Sequence, residues 1–307
     1  DQLDVLKAAQ IVHEESIGIP VLLGNEETIK NLMRTIEFDA DVNIIDPKST
    51  NQLKLRNKYA EIFWEDRNRS GITLEDAKRL LRERNYFGAM MVKNGDADAM
   101  LSGYSRNYPA AIKPILESIG PAKGVRRVAA TNLMLTKRGP IFLSDTSLNI
   151  NPNSKELAKI AQMTSQTGKL FGLQPVLAML SFSNYGSSEF EEATKISNAV
   201  EILHRYYPNI NVDGPVQSDF ALNKKMLKSK FPFSHLTNKN VNTLIFPNLD
   251  SANITYKLMK ELNGNLSIGP ILLGLNEPIH VLQLGASVEE ILNMTAVAVI
   301  DAQQKKE

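Results

Sequence analysis

The fold is decided by the segment Pro175–Ser188, PVLAMLSFSNYGSS, in which an apolar run ends directly in a loop of small polar residues. Two later segments repeat this arrangement: Ile210–Val212 runs into DGPVQSD, and Val241–Phe246 runs into PNLDSAN. A short apolar run bounded by turn residues is typical of a strand buried on both faces. Helix-period segments separate the three strands. This alternation predicts an α/β fold with mostly parallel sheets.

The loops after these three strands supply the first candidate site. In open α/β sheets, ligands bind outside the carboxyl ends of the strands, where hydroxyls, amides and helix N-termini converge. One such loop is equally typical of a turn or a helix cap. Recurrence on consecutive strands favours a site, and its candidate contacts are Ser183, Tyr185, Asp219, Asn248, Ser251 and Asn253.

The rest of the chain extends the same pattern in both directions. A strand is predicted at Pro20–Leu23, a second at Phe87–Val92, and a hairpin from Arg127–Leu135 and Pro140–Leu143. Helices are predicted over Asp4–Glu15, after Thr73, from Asn153 to Gly172, and after Ser287. We predict two α/β domains, the first combining residues 1–143 with 278–307 and the second comprising residues 144–277.

Composition and charge exclude several classes of function. The chain has 307 residues, of which 43% are hydrophobic and 22% charged, so it is globular and long enough for two domains. Lys and Arg total 35 against 34 for Asp and Glu, and this balance argues against a nucleic-acid partner. No apolar run of about 18 residues occurs, which excludes a membrane-spanning helix.

Residue types missing from the sequence narrow the chemistry further. Cysteine is absent, which excludes disulfides, thiolate metal sites and a cysteine nucleophile, and fits a cytoplasmic location. The four histidines form no HExxH motif, so no metal site is predicted. The chain begins at Asp1 without Met, and we expect it to be a piece of a longer protein.

Five sequence blocks carry a resemblance to a known family. They are DADAMLSGYS (Asp96–Ser105), AMLSFSNYGSS (Ala178–Ser188), DGPVQSDFAL (Asp213–Leu222), LIFPNLDSANITYKL (Leu244–Leu258) and IGPILLGLNEPIHVL (Ile268–Leu282). These blocks resemble the phosphate acetyl/butyryltransferase family, and together they extend the resemblance over essentially the whole chain. More narrowly, HVLQLGASVEEILNMTAVAVIDAQ (His280–Gln303) is similar to the C-terminal domain of multidomain NADP-dependent malic enzymes.

The resemblance implies two α/β domains around a deep cleft, a homodimer, and acetyl transfer between phosphate and coenzyme A, with the coenzyme A-side loops in the second domain. Active members carry a Ser-Arg pair in a D-L-S-R-G motif and an acid downstream. Here the pair reads Gln283-Leu284, and the acid falls on Glu290. Tyr185 stands where many members have a Lys.

These departures bear directly on transfer chemistry. Phosphoryl and acyl oxygens need a cation, and Leu284 has neither charge nor donor. Gln283 can donate a hydrogen bond but cannot act as a general acid or base at neutral pH. Glu290 has a structural explanation, because Ser287-x-x-Glu290 is a capping box. We therefore assign no catalytic residue, and expect coenzyme A binding to survive the loss of phosphate chemistry.

The leading hypothesis is a regulatory domain that binds acetyl-CoA or a related acyl-CoA and controls an attached malic enzyme, which oxidatively decarboxylates malate to pyruvate. NADP and a divalent metal would bind only that attached part. The expected ligand contacts add Gln283, Leu284 and Gly285 to the strand-end loops. Arg106 and Lys257 are candidates for the ligand's phosphates, and Tyr104 and Tyr256 for its adenine.

Two alternatives stay open. The first is an active phosphate acetyltransferase that uses Gln283 and Glu290. The second is an oligomerisation module with an empty cleft. The resemblance implies a homodimer through this chain, and a higher oligomer of the full-length protein stays open. The lysine run at 224–230 is typical of a solvated helix face.

Overall fold

The structure, a computed structural model, describes residues 2–264 and 266–306. Asp1, on which the expectation of an internal start rests, lies outside the described residues. The helices in this part of the chain are α1 (Leu3–Glu14), α2 (Glu26–Thr35), α3 (Leu53–Arg67), α4 (Leu74–Leu80), α5 (Arg84–Lys93), α6 (Tyr108–Ser118), α7 (Ser154–Leu170), α8 (Glu191–Tyr206), α9 (Ser218–Leu222), α10 (Lys224–Lys230), α11 (Leu249–Asn263) and α12 (Val288–Lys306). Short 3₁₀ helices occupy Thr50–Gln52 and Asn68–Ser70.

The strands alternate with these helices, as predicted. In chain order they are β1 (Val21–Leu23), β2 (Asn43–Ile45), β3 (Met100–Ser102), β4 (Ala129–Thr136), β5 (Gly139–Ser144), β6 (Val176–Leu180), β7 (Asn211–Val216), β8 (Thr243–Ile245), β9 (Ser267–Leu273) and β10 (Ile279–Val281). The mixed α/β fold predicted from the sequence is therefore confirmed.

The chain divides into two compact units. Unit 1 holds the described residues up to Lys123 together with those from Leu275 onward, and unit 2 holds Gly124–Gly274. The sequence predicts the first boundary after residue 143, but the β4–β5 hairpin is part of the unit 2 sheet. Its strand β5 pairs with β8, and its strand β4 pairs with β9. Those backbone hydrogen bonds keep the hairpin in unit 2.

Unit 2 is built on one six-stranded sheet in the order β7-β6-β8-β5-β4-β9. The strands β7, β6, β8 and β5 run parallel, and β4 runs antiparallel to both of its neighbours. Both faces of this sheet are covered: Ala178 faces one apolar cluster, and its neighbour Leu177 faces another. Burial on both faces explains why these strands read as continuous apolar runs.

Unit 1 contains two short parallel pairs, β1 with β2 and β10 with β3. The strand predicted at Phe87–Val92 is wrong, because this run is the second half of α5. From Tyr86 to Val92 every side chain is buried. The rings of Tyr59 and Phe87 meet edge to face at 5.2 Å. A helix buried on all sides has no polar face, so periodicity cannot separate it from a buried strand.

Side-chain caps mark the helix starts that the sequence predicted. Thr73 and Asp76 form a capping box at α4, and Asn153 and Glu156 form one at α7. No helix among residues 2–264 and 266–306 is both long and apolar enough to cross a membrane.

Candidate functional site

Four loops of unit 2 begin side by side, because each follows one of the parallel strands β5, β6, β7 and β8. The N–H of Phe246 donates to the carbonyl of Ser144 at 2.8 Å, and that of Ser181 donates to Val216 at 3.1 Å. These bonds join the strand ends in pairs at the carboxyl edge of the sheet. The sequence argument for converging loops therefore holds within this unit.

The loop after β8 is fastened by its own polar side chains. Asn248 Oδ1 accepts from the N–H of Ser251 at 3.0 Å and caps α11, while Ser251 Oγ donates to the Asn248 carbonyl at 3.0 Å. Asn253 Nδ2 donates to the carbonyl of Thr146 at 3.0 Å, which ties this loop to the loop after β5. These candidate residues thus hold the shape of the loop.

The two remaining candidates on α11 have different surroundings. Tyr256 is only 3% exposed and packs into the apolar core of unit 2. Its expected role as an adenine platform is wrong, because the ring cannot reach a bound ligand without unpacking that core. Lys257 is exposed, one residue further along the helix.

The loop after β6 places Ser183 and Tyr185 in a hydrogen-bonded turn. Ser183 is 3% exposed, and its Oγ lies 3.0 Å from Ser187 Oγ. Tyr185 has a φ of 46°, a left-handed conformation that is uncommon outside glycine. Its hydroxyl donates to Ser234 Oγ at 2.5 Å. Burial raises the pKa of Tyr185 to about 12, so the phenol stays neutral at neutral pH.

Asp213 anchors this turn from β7. Its Oδ2 accepts from Ser234 Oγ at 3.0 Å and from the N–H of His235 at 2.7 Å. Two hydrogen bonds join the loop after β6 to the loop after β7. Asn184 Nδ2 donates to Gln217 Oε1 at 2.7 Å, and the Gln217 N–H donates to Asn184 Oδ1 at 2.9 Å.

Asp219 was predicted as a contact from the loop after β7. It lies in the first turn of α9, where its side chain is exposed.

Sequence reasoning missed Asp145, which follows β5. This carboxylate is 4% exposed and accepts hydrogen bonds from the N–H groups of Ala130, Ser147, Leu148 and Asn149 at 2.9–3.3 Å, and from Asn149 Nδ2. Burial raises the pKa of Asp145, and its N–H donors act against that rise. Asp145 therefore organises a fourth strand-end loop.

The signal for that loop was present in the sequence. An apolar run ends in Ser-Asp-Thr-Ser at residues 144–147, the same pattern that identified the other three loops. The hairpin prediction ends this run at Leu143 and places it in the first domain, away from the other three strand-end loops.

In unit 1, the turn carrying Gln283, Leu284 and Gly285 follows β10. The N–H of Leu282 donates to the Ser102 carbonyl at 2.7 Å. Gly103 permits this approach: its φ is 101°, and an added Cβ would lie 2.6 Å from the Leu282 carbonyl oxygen. Leu284 is 68% exposed.

Two other candidates of unit 1 already have polar partners. The Tyr104 hydroxyl donates to Asp4 Oδ2 at 2.7 Å. Arg106 pairs with Glu83 at 2.9 Å, so part of its charge is compensated. A ligand that used the Tyr104 hydroxyl or the Arg106 guanidinium would therefore compete with these existing contacts.

Glu290 occupies the position that the sequence predicted for a cap. Its Oε2 accepts from the Ser287 N–H at 2.8 Å, and its own N–H donates to Ser287 Oγ at 3.2 Å. The capping box at the start of α12 is therefore present.

Comparison with known proteins identifies the family. A model of the family described as phosphate acetyl/butaryl transferase matches residues 1–299. A phosphate acetyltransferase of Thermoanaerobacterium thermosaccharolyticum is 37% identical over 305 residues, covering 97% of this chain and 92% of that protein. The crystal structure of a phosphotransacetylase from Streptococcus pyogenes matches with a TM-score of 0.90 at 35% identity, covering 99% of this chain and 92% of that one.

Malic enzymes also occur among the relatives. An NADP-dependent malic enzyme of Haemophilus influenzae is 34% identical over 305 residues, which is 98% of this chain but only 40% of that protein. The identities of the two kinds of relative are close, so identity alone does not choose between them. Both kinds contain the same matched region, and the chain belongs to the phosphate acetyl/butyryltransferase family.

Proposed function

We propose that this chain binds acetyl-CoA or a related acyl-CoA and acts as a phosphate acetyltransferase, moving an acetyl group between acetyl phosphate and coenzyme A. This was the first alternative from the sequence. The names of the relatives favour it over the regulatory malic enzyme domain. The observation that carries the binding is the row of four polar loops at the carboxyl edge of the unit 2 sheet, the usual place for a ligand in such sheets.

The reaction sets clear requirements on the chain. The sulfur of coenzyme A attacks the acetyl carbonyl carbon, the bond from that carbon to the phosphate oxygen breaks, and the thiol proton ends on the departing phosphate. Donors or cations must stabilise the oxygen charge that develops. Gln283 can donate to such an oxygen, but its amide cannot accept the thiol proton. Glu290 is a carboxylate, yet it is already bonded to Ser287.

One observation favours a second candidate, which binds acyl-CoA without transfer. Leu284 is 68% exposed and stands where active members are expected to carry an arginine. An exposed leucine leaves an apolar surface suited to an acyl thioester and supplies no charge to a phosphate. In this candidate the bound acyl-CoA is an effector that controls an attached malic enzyme.

One pair of measurements separates these candidates. Acetyl-CoA formation from acetyl phosphate and coenzyme A is followed by absorbance of the thioester, and acetyl-CoA binding is followed by calorimetry on the same protein. Binding with turnover supports the transferase. Binding without turnover above a no-enzyme control rejects the transferase in favour of the effector role, and the absence of both leaves only the oligomerisation module.

We also propose that the chain forms a homodimer, and an exposed apolar row on α11 supports this. Ile254, Leu258 and Leu262 recur every four residues and are 58%, 53% and 79% exposed. Such a row lies on one face of a helix. A contiguous apolar face of this kind marks an interaction surface, and we assign it to a second copy of this chain.

A further inference from the structure

We infer that the adenine ring of the acyl-CoA stacks on an aromatic platform formed by Phe231, Phe233 and Tyr185 in unit 2. The inference rests on the proposed binding of acyl-CoA. It assigns the nucleotide end of that ligand to a place other than Tyr256, which is predicted from the sequence as an adenine contact but is buried in the core.

The platform contains one exposed ring, that of Phe233. Ring centroids are 5.0 Å apart for Tyr185 and Phe231, 5.1 Å for Tyr185 and Phe233, and 6.1 Å for Phe231 and Phe233. Tyr185 and Phe231 are partly buried against the core of unit 2. Phe233 remains 65% exposed, although its ring is held edge to face against Tyr185.

An exposed phenylalanine held in this way is suited to stacking. Every nucleobase has a π-face, and stacking a base on an aromatic side chain is favourable without any base-specific hydrogen bond. The open face of Phe233 therefore has the shape and chemistry to receive a flat heteroaromatic ring.

Polar contacts hold the platform in place before any ligand binds. Tyr185 donates to Ser234, Ser234 donates to Asp213, and the N–H of Leu236 donates to Ser234 Oγ at 3.1 Å. Ser234 and Asp213 are 5% and 7% exposed. Because Ser234 directly follows Phe233, this chain of hydrogen bonds fixes the backbone that carries the exposed ring. A rigid platform loses little conformational entropy when a ligand binds.

The backbone of Tyr185 gives an independent reason to assign this place to function. A non-glycine residue at a φ of 46° is in a sparsely populated, strained conformation, and such outliers cluster at ligand sites. The strained residue lies in a strand-end loop already identified as a candidate site. Its ring is also the one that contacts both phenylalanines.

The surrounding charge matches a nucleotide that carries phosphates. The segment 218–239 contains five lysines and one acid, Asp219. Lys224, Lys225, Lys228 and Lys230 are all exposed on α10, which ends at the residue before Phe231. Coenzyme A carries a 3′-phosphate and a diphosphate next to its adenosine. These four lysines, which the sequence pattern alone interprets as a solvated helix face, directly precede the aromatic platform in the chain. We assign them to the phosphates of the ligand.

The test compares two ligands and two matched variants by calorimetry. Phe233→Ala removes the platform, and Phe190→Ala removes another exposed phenylalanine, 71% exposed, that packs on Phe182 instead. The ligands are acetyl-CoA and acetyl-phosphopantetheine, which has the same acyl arm but no adenosine. Thermal melts check that both variants keep the wild-type fold.

We expect Phe233→Ala to weaken acetyl-CoA binding by roughly 5- to 150-fold. The affinity of this variant for acetyl-phosphopantetheine, and the affinity of Phe190→Ala for acetyl-CoA, should stay near wild type. Lys228→Gln with Lys230→Gln should also weaken acetyl-CoA binding and reduce its dependence on salt.

Wild-type affinity for acetyl-CoA in Phe233→Ala would overturn the platform and leave the proposed function intact. The platform would also be overturned if Phe233→Ala weakened the binding of acetyl-CoA and of acetyl-phosphopantetheine equally. It would be overturned too if Phe233→Ala and Phe190→Ala weakened acetyl-CoA binding equally. No acetyl-CoA binding by the wild-type protein would instead overturn the proposed function and the platform together.

Discussion

The backbone N–H of Gly285 donates a 3.1 Å hydrogen bond to the carbonyl of Tyr104. Together with the bond from Leu282 to Ser102, it holds the turn after β10 against the loop after β3 on both sides of Gln283 and Leu284. The exposure of Leu284 is therefore imposed by a fixed backbone. A longer side chain at this position would project into solvent from the same place.

This geometry predicts that the lost pair limits the rate of transfer. In the double variant Gln283→Ser with Leu284→Arg, we expect acetyl-CoA formation from acetyl phosphate to rise by about 10²–10³-fold over wild type, because a donor and a cation return to the developing oxygen charge. The measurement is the initial rate with saturating coenzyme A.

A control for this variant is Leu284→Met, which keeps an apolar side chain of similar volume and should leave the rate unchanged. No gain in the double variant, with acetyl-CoA binding preserved, would contradict the importance of this pair.

The capping box at α12 makes a prediction about stability. Ser287→Ala and Glu290→Ala each remove one of its two reciprocal hydrogen bonds, and each should lower the free energy of unfolding by about 1 kcal/mol in urea titrations, whereas Glu290→Gln keeps an accepting oxygen and should stay near wild type. Ser287→Asp keeps a capping oxygen and should stay near wild type. A Glu290→Gln variant of unchanged stability that loses acetyl transfer would instead give Glu290 a role in the reaction.

The apolar row on α11 predicts the oligomeric state. Leu258→Asp should convert a dimer to a monomer in sedimentation velocity at micromolar protein, because the buried charge would have no partner in the interface. Lys257→Asp introduces the same carboxylate one residue away, outside the row of Ile254, Leu258 and Leu262, and should leave the dimer intact. A monomeric wild-type protein, or dissociation in both variants, would argue against this interface.

The buried His280 predicts how stability depends on pH. It is 1% exposed, and burial together with the charge of Lys305 lowers its pKa to about 4. In the unfolded chain this histidine takes up a proton near pH 6.5, whereas in the folded chain it stays neutral down to about pH 4. The free energy of unfolding therefore falls as pH falls from about 6.5 towards 4, by about 3 kcal/mol in total. Burial raises the pKa of Asp301, 3.5 Å away, and this acts in the opposite direction.

A variant isolates the histidine from that opposing effect. His280→Gln should lose most of the stability difference between pH 7 and pH 4.5 in urea titrations. His13→Gln, which changes an exposed histidine, should keep the wild-type difference. The same pH dependence in wild type and His280→Gln would contradict this account.

The sequence predicted the unit 2 sheet well, because its strands are buried on both faces and end in polar loops. The same reading of an apolar run as a buried strand is wrong for Phe87–Val92, which is equally apolar but belongs to a buried helix of unit 1. The adenine contact failed for a similar reason, since nothing in the local sequence distinguishes a buried Tyr256 from an exposed tyrosine. Asp145 and the aromatic platform depend on contacts between residues distant in sequence, which local patterns do not report.

The central claim is that the strand-end loops bind an acyl-CoA, and titration calorimetry of the wild-type chain with acetyl-CoA tests it most directly. We predict saturable binding with one site per chain, accompanied by a rise in melting temperature, since a ligand that binds only the folded state stabilises it. No heat and no thermal shift at millimolar acetyl-CoA would contradict the claim.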